Sequence, residues 1–156
     1  MGLEIERKFL VKNDSWKKES EEGIHITQGY LNSTVERTVR VRIQGNKGVI
    51  TIKGKNQNLT RKEFEYQIPL NDARNLLDLC ENPIIEKTRF LLSSNNNTWE
   101  IDVFEGLNDG LILAEIELKS EEDTFDIPSW LGEEVSLDKK YYNSSLIANP
   151  YANWKK

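Results

Sequence analysis

The chain has 156 residues, of which 37% are hydrophobic and 30% charged, a composition that suits one globular domain over residues 1–156 and excludes a disordered chain. Its formal net charge of −5 argues against a nucleic-acid-binding protein, which usually carries a basic face. The sequence shows no signal peptide and no apolar run of the ~20 residues that a membrane span needs. We therefore expect a cytoplasmic protein that binds neither nucleic acid nor a membrane.

Alternating residues and turn signals predict eight strands and a few short helices. The predicted strands are residues 3–9, Ile24–Leu31, Thr38–Gln44, Lys47–Lys53, Lys62–Ile68, Ile85–Leu92, Thr98–Phe104 and Leu111–Leu118. The predicted helical segments are Asp14–Ser20, Asp72–Cys80, a turn at Pro128–Leu131 and Tyr142–Ala148. Turns at Gly45-Asn46 and Asn95–Asn97 join strands that are consecutive in the chain, which indicates antiparallel pairing.

Like charges recur on one face of these strands, because residues i and i+2 of a strand point the same way. The acidic pairs are Glu4/Glu6, Glu63/Glu65, Glu100/Asp102 and Glu115/Glu117, and the basic pairs are Arg40/Arg42 and Lys87/Arg89. Lys53 lies on the Lys47–Lys53 strand, and Lys8 lies at the end of the first strand. Like charges only ~7 Å apart repel each other. An open sheet with one face in water explains any single pair, whereas the full series favours acidic and basic strands that face a shared, ligand-filled space.

A closed barrel is the arrangement that gives such strands a shared interior. About eight strands enclose a space wide enough for one small ligand. We therefore predict an α+β protein built on a closed eight-stranded antiparallel β-barrel, a tunnel with a charged interior and short helices packed outside.

A series of short motifs, taken in chain order and covering nearly the whole chain, resembles one family. They are Glu4-Ile5-Glu6-Arg7-Lys8, Thr38-Val39-Arg40-Val41-Arg42, Thr51-Ile52-Lys53-Gly54, Lys87-Thr88-Arg89, residues 100–106, Ala114-Glu115-Ile116-Glu117-Leu118, Glu134-Val135-Ser136 and Tyr141-Tyr142-Asn143. The series is similar to the CYTH superfamily of triphosphate tunnel metalloenzymes, in its compact bacterial form. The resemblance implies an eight-stranded tunnel that acts on triphosphates with Mg²⁺ or Mn²⁺.

The charged residues divide into roles that the chemistry and the resemblance together suggest. A triphosphate is a polyanion that needs fixed cations, and the predicted phosphate ligands are Lys8, Arg40, Arg42, Lys53, Lys87, Arg89 and Lys140. Hard divalent cations prefer oxygen ligands, and the predicted metal ligands are Glu4, Glu6, Asp102, Glu115 and Glu117. The predicted catalytic residues are Glu6, Glu63, Asp102 and Lys87. Lys140 stands where many relatives carry arginine, so its phosphate contact rests on the resemblance.

The favoured function is metal-dependent hydrolysis of a triphosphate, first of all inorganic tripolyphosphate to diphosphate plus phosphate. ATP and thiamine triphosphate are the other substrates that the resemblance implies. An adenylyl cyclase that converts ATP to cyclic AMP and diphosphate is the main alternative, and a non-catalytic polyphosphate-binding module is the second. The resemblance also implies a possible homodimer.

Overall fold

The computed structural model describes residues 2–154, which contain nine strands and one α-helix. The strands are β1 Leu3–Val11, β2 Ile24–Thr34, β3 Arg37–Gln44, β4 Lys47–Gly54, β5 Thr60–Ile68, β6 Ile85–Ser94, β7 Asn97–Phe104, β8 Ile112–Glu117 and β9 Leu131–Glu134. The α-helix α1 is Leu70–Leu77, and short 3-10 helices lie at Ser15–Lys18, Gly106–Asn108, Lys139–Tyr141, Asn143–Leu146 and Tyr151–Asn153. No helix in the described part of the chain is long and apolar enough to cross a membrane.

Eight strands close into a barrel through antiparallel pairs. They follow the order β5-β4-β3-β2-β6-β7-β8-β1, and β1 pairs again with β5 to complete the ring. One edge of β1 pairs with β8 over residues 6–10, while residues 3–5 on the other edge pair with β5. The predicted closed eight-stranded antiparallel barrel is therefore confirmed. Closure leaves the strands that form the ring without an open edge along most of their length.

The ninth strand is a feature that the sequence did not reveal. Leu131–Glu134 pairs with the part of β1 beyond β5, placing Leu131 opposite Val11 and Glu134 opposite Phe9. The predicted turn before it exists, since Leu131 N–H donates to the Pro128 carbonyl at 3.1 Å. The strand was missed because four residues give too short a pattern for alternation to be recognised.

The apolar core lies outside the barrel, since the interior is charged. Trp99 is 1% exposed and contacts Phe9, Phe125 and Trp130 edge to face. Trp16, at the 3-10 helix Ser15–Lys18, covers the next part of the same wall beside other apolar residues. This helix is shorter than the predicted Asp14–Ser20, but it covers the outer wall as expected.

Helix α1 covers a second part of the outer wall. It begins at Leu70, directly after Pro69, and ends at Leu77, two residues earlier at the start and three earlier at the end than predicted. Ala73 is fully buried against β4 at Gly48. A Cβ atom at Gly48 would lie 2.7 Å from the Ala73 Cβ, so glycine is what lets the helix approach the strand.

We expect Trp99→Ala to lower the free energy of unfolding by about 3–5 kcal/mol, because it empties a space at the centre of the outer core. Urea unfolding followed by tyrosine and tryptophan fluorescence measures this change. Leu79→Ala is the matched control, since Leu79 is 73% exposed and its truncation should change stability by less than about 0.5 kcal/mol. Equal effects of the two substitutions would contradict this placement of the core.

Candidate active site in the barrel lumen

The charged rows meet around one cavity of about 270 Å³ inside the barrel. A cavity of this volume has room for a compact anion with its ions. The predicted site residues that line it are Glu4, Glu6, Lys8, Arg40, Arg42, Lys53, Glu63, Lys87, Arg89, Glu115 and Glu117. Lining residues that the site prediction did not include are Tyr30, Thr38, Gln44, Arg61, Glu65, Glu100, Tyr142, Asn143 and Ser144. We call this cavity the lumen.

A carboxylate cluster occupies one side of the lumen. Oxygens of Glu6, Glu100 and Glu115 all lie within 4.8 Å of one another. Burial and the nearby charges of Glu115 and Glu4 raise the pKa of Glu6 to about 8. Glu117 lies directly opposite Glu6 on the neighbouring strand. Oxygen ligands that repel one another at this separation fit a divalent cation such as Mg²⁺ or Mn²⁺.

Glu100 is a member of this cluster that the sequence did not assign to the metal. It lies opposite Glu115 in the pairing of β7 with β8, which brings it to the carboxylate side of the lumen. The alternation pattern does place Glu100 on the lumen face, because it shares a strand face with Asp102. Which of these two carboxylates joins the cluster depends on their depth in the barrel.

Asp102 is the predicted metal ligand whose surroundings fit that role least. Both of its carboxylate oxygens are occupied, at 2.8 and 2.9 Å from Arg89 nitrogens and at 2.7 Å from Lys87 Nζ. Although its burial acts to raise the pKa of Asp102, Arg89 and Lys87 hold that pKa well below its usual value. The structure therefore places Asp102 between two cations, and its oxygens are not among those that form the carboxylate cluster.

Glu4 also contacts cations. It lies 3.0 Å from Lys53 Nζ and 3.3 Å from Arg61 Nε. Burial acts to raise the pKa of Glu4, but Lys53 and Arg61 hold it below its ordinary value. Glu63, on β5, lies 3.5 Å from the same Lys53 nitrogen. Burial and the charge of Glu4 raise the pKa of Glu63.

The arginines of β3 face the lumen with unused hydrogen-bonding capacity. Among the residues that the structure describes, Arg42 has no carboxylate within ion-pair distance, and burial with the charges of Arg40 and Arg89 lowers its pKa to about 9. The Nε atom of Arg40 is buried without a hydrogen-bond partner. One Arg40 terminal nitrogen contacts Thr51 at 3.0 Å and Glu65 at 3.6 Å. Such groups need an anionic partner when water is excluded.

The remaining predicted cations are held at defined places. Lys8 Nζ lies 3.2 Å from Glu115. Burial alone would raise the pKa of Glu115, but Lys8 and other nearby charges hold it at about 2. Lys87 is 1% exposed, and burial lowers its pKa to about 7 against the opposing effect of Asp102. Arg89 bridges both sides of the lumen, since it also lies 3.3 Å from Glu100.

Lys140 is not brought into the lumen. Its Nζ lies 4.8 Å from the ring centroid of Trp154 and 5.3 Å from that of Tyr141. The 3-10 helix Lys139–Tyr141 directs it to the outer surface, where it lines a different groove. The predicted phosphate contact of Lys140 is therefore not supported by its position.

Comparisons with known proteins agree with this geometry. The chain is 45% identical over 156 residues to an inorganic triphosphatase of Acetivibrio thermocellus, with 99% of each chain covered. It is 36% identical over 147 residues to an inorganic triphosphatase of Nitrosomonas europaea, with 92% of this chain and 95% of the relative covered.

A solved crystal structure of an inorganic triphosphatase matches with a TM-score of 0.66 and 36% identity, over 92% of this chain and 93% of that one. The profile of the CYTH domain matches residues 2–148. The charged tunnel, the order of the motifs and these similarities agree, and the chain belongs to the CYTH family.

Proposed function

We propose that this protein is a divalent-metal-dependent triphosphatase that hydrolyses inorganic tripolyphosphate to diphosphate and phosphate. The observation that carries the proposal is the pair Arg40 and Arg42, which line the same lumen as a carboxylate cluster. Among the described residues, Arg42 has no carboxylate partner to offset its charge. An anion and a cation bound together would satisfy both sides. The names of the two relatives support this choice of substrate.

The cations would bind the phosphate oxygens. Arg40 and Arg42 offer planar forks that match phosphate geometry, while lysine acts as a point charge. Lys87 has three N–H donors, of which Asp102 and Asn143 occupy two, so one remains for a phosphate oxygen. Lys8, Lys53 and Arg89 line the same lumen and add positive charge around the ligand.

The carboxylates would hold Mg²⁺ or Mn²⁺ beside the phosphates. We assign Glu6, Glu115 and Glu117 as ligands from the prediction, and add Glu100 because its oxygen lies with those of Glu6 and Glu115. Glu4 lies beside this group but is already paired with Lys53 and Arg61. A bound divalent cation would neutralise phosphate charge and polarise the bond to the leaving diphosphate.

Hydrolysis requires a water whose oxygen attacks the terminal phosphorus while the bond to the diphosphate oxygen breaks. Glu63 is our candidate for orienting this water and accepting its proton. It lines the lumen, and burial with the charge of Glu4 raises its pKa toward the range in which a carboxylate is an effective base. Lys87 would stabilise negative charge on the transferred phosphoryl group.

No observation favours the adenylyl cyclase alternative. Tyr30 and Tyr142 are the aromatic residues among those that line the described lumen, and the other lining side chains are polar or charged. A base-binding pocket is usually lined by apolar and aromatic groups. The carboxylate cluster argues against a module that only binds phosphate, because binding alone needs no metal ligands. ATP and thiamine triphosphate remain substrates to test.

The purified protein should release phosphate from tripolyphosphate when Mg²⁺ or Mn²⁺ is present, and a chelator should abolish the release. A colorimetric phosphate assay with tripolyphosphate, ATP, thiamine triphosphate and diphosphate measures this. With ATP the expected products are ADP and phosphate. Cyclic AMP plus diphosphate would establish the cyclase instead, and binding without turnover of any triphosphate would establish the binding module.

Arg42→Ala and Glu6→Ala should each lower kcat/KM for tripolyphosphate at least about 100-fold, because each removes a group that contacts a charged ligand. Lys140→Ala is the matched control for Arg42→Ala, since Lys140 is a cation outside the lumen, and it should retain wild-type activity. Circular dichroism should show an intact barrel in all three. Full activity in Arg42→Ala would refute the site.

Asp102→Asn should lower the free energy of unfolding by about 3–5 kcal/mol, because Lys87 and Arg89 lose their buried counter-ion. The folded-state pKa of Asp102 is depressed, so its stabilisation is complete at pH 7 and is lost progressively as the pH falls from the ordinary aspartate pKa down to that lower value. Urea unfolding at pH 7 measures the loss. Asp109→Asn, on an exposed turn, should change stability by less than about 0.5 kcal/mol.

A further inference from the structure

Two buried amide side chains connect the cations of the lumen, and neither belongs to the charged rows. Gln28, on β2, is 0% exposed and lies directly opposite Arg42 in the pairing of β2 with β3. Arg42 Nε donates to Gln28 Oε1 at 2.8 Å. Gln28 Nε2 donates to Asn143 Oδ1 at 3.0 Å, and Lys87 Nζ donates to the same oxygen at 2.9 Å.

The chemistry of the partners fixes the orientation of both amides. Arginine and lysine have only donors, so Gln28 must turn its oxygen to Arg42 and its NH₂ group away from it. That NH₂ group meets Asn143, which must therefore present its own oxygen. The same oxygen is what Lys87 requires, so rotating either amide by half a turn would set donors against donors.

Neutral amides hold the cations without neutralising them. Asp102 accepts hydrogen bonds from Lys87 and Arg89 but also offsets part of their combined charge. Gln28 fixes the direction of the Arg42 guanidinium and leaves its positive charge available to a phosphate. A long side chain that is held in one rotamer loses less conformational entropy when its ligand binds.

Asn143 belongs to the C-terminal segment, which covers one end of the lumen. Tyr142, Asn143 and Ser144 line the cavity, and Tyr142 Oη accepts from Asn56 Nδ2 at 2.9 Å. The 3-10 helix Asn143–Leu146 is anchored in the outer core by Leu146, which is 0% exposed. The packing of this segment outside the barrel therefore determines where Asn143 meets Lys87 inside it.

We propose that Gln28 and Asn143 are positioning residues, which hold Arg42 and Lys87 in place for the triphosphate, and that the C-terminal segment is thereby part of the site. The inference rests on the proposed function, in which Arg42 and Lys87 contact phosphate. Gln28 and Asn143 themselves act through these cations.

A double-mutant cycle tests the link between Gln28 and Arg42. Gln28→Met keeps the volume but removes the hydrogen bonds, and should lower kcat/KM for tripolyphosphate about 10- to 100-fold. Arg42→Lys removes the Nε donor, so Gln28→Met should lower kcat/KM less than about threefold further in that background. Both single variants should change the same parameter, kcat or KM. Losses that multiply, or that fall on different parameters, would overturn the proposal.

Asn143→Leu with Lys87→Met forms the second cycle, with the same expectation of a small further loss. It also decides the question if Gln28→Met fails to fold, because Asn143 lies in the C-terminal segment and outside the strands of the barrel. Gln67→Met is the matched control, since Gln67 is exposed on β5, and its kcat/KM should equal that of the wild type.

Calorimetric titration with tripolyphosphate, without divalent metal, separates this inference from the proposed function. If the wild type hydrolyses tripolyphosphate but the cycles are multiplicative, only the positioning role fails. If the wild type binds tripolyphosphate in this titration but does not hydrolyse it when Mg²⁺ or Mn²⁺ is added, the proposed hydrolysis fails and the same cycles in binding affinity decide the positioning role. If it neither binds nor hydrolyses tripolyphosphate, both proposals fail.

Discussion

Ion pairing inside the closed barrel is the constraint on which the rest of the structure depends. A buried charge without a partner destabilises a fold by several kcal/mol, and the lumen contains charges from every strand except β2 and β9. Acidic and basic rows therefore have to meet across the interior, as Asp102 meets Lys87 and Arg89. The strands can achieve this only by closing completely, because an open sheet would separate the rows.

The ion pairing in the lumen is incomplete, and the unpaired charges indicate what kind of ligand would bind there. On the basic side, Arg42 has no carboxylate partner among the described residues and Arg40 keeps a buried donor unused. On the acidic side, burial and the nearby charges of Glu115 and Glu4 raise the pKa of Glu6. A polyanion with a divalent cation offsets both imbalances at once. The two sides lie within one cavity, so the anion and the cation would bind next to each other.

Charge inside the barrel moves the apolar core to the outside. The outer wall is covered by Trp16, Trp99 and Trp130 on one side and by α1 on another. A third apolar cluster contains Leu146 and Ile147 of the C-terminal segment. Asn143 connects this third apolar cluster to the lumen, because its side chain accepts a hydrogen bond from Lys87. Stability and the placement of charged groups are therefore connected in this fold.

The sequence by itself determined which residues face the lumen, because the side chains of a strand alternate with a strict period of two. Glu4, Glu6, Arg40 and Arg42 follow this rule, and the like-charged rows required an enclosed space in which opposite signs could meet. The eight strands of the ring and their closed antiparallel arrangement followed from the same pattern and from the turns at residues 45–46 and 95–97, whereas the short strand β9 did not.

Only the tertiary structure decided which charges meet. Glu100 and Asp102 share a strand and a face, yet one lies with carboxylates and the other between two cations, because the register of the neighbouring strands sets the partners at each depth. Gln28 and Asn143 are 115 residues apart and uncharged, so no pattern in the sequence joins them. The direction of the Lys139–Tyr141 turn likewise removed Lys140 from the lumen. Alternation fixes the face of a residue, whereas its partners depend on contacts between segments distant in the chain.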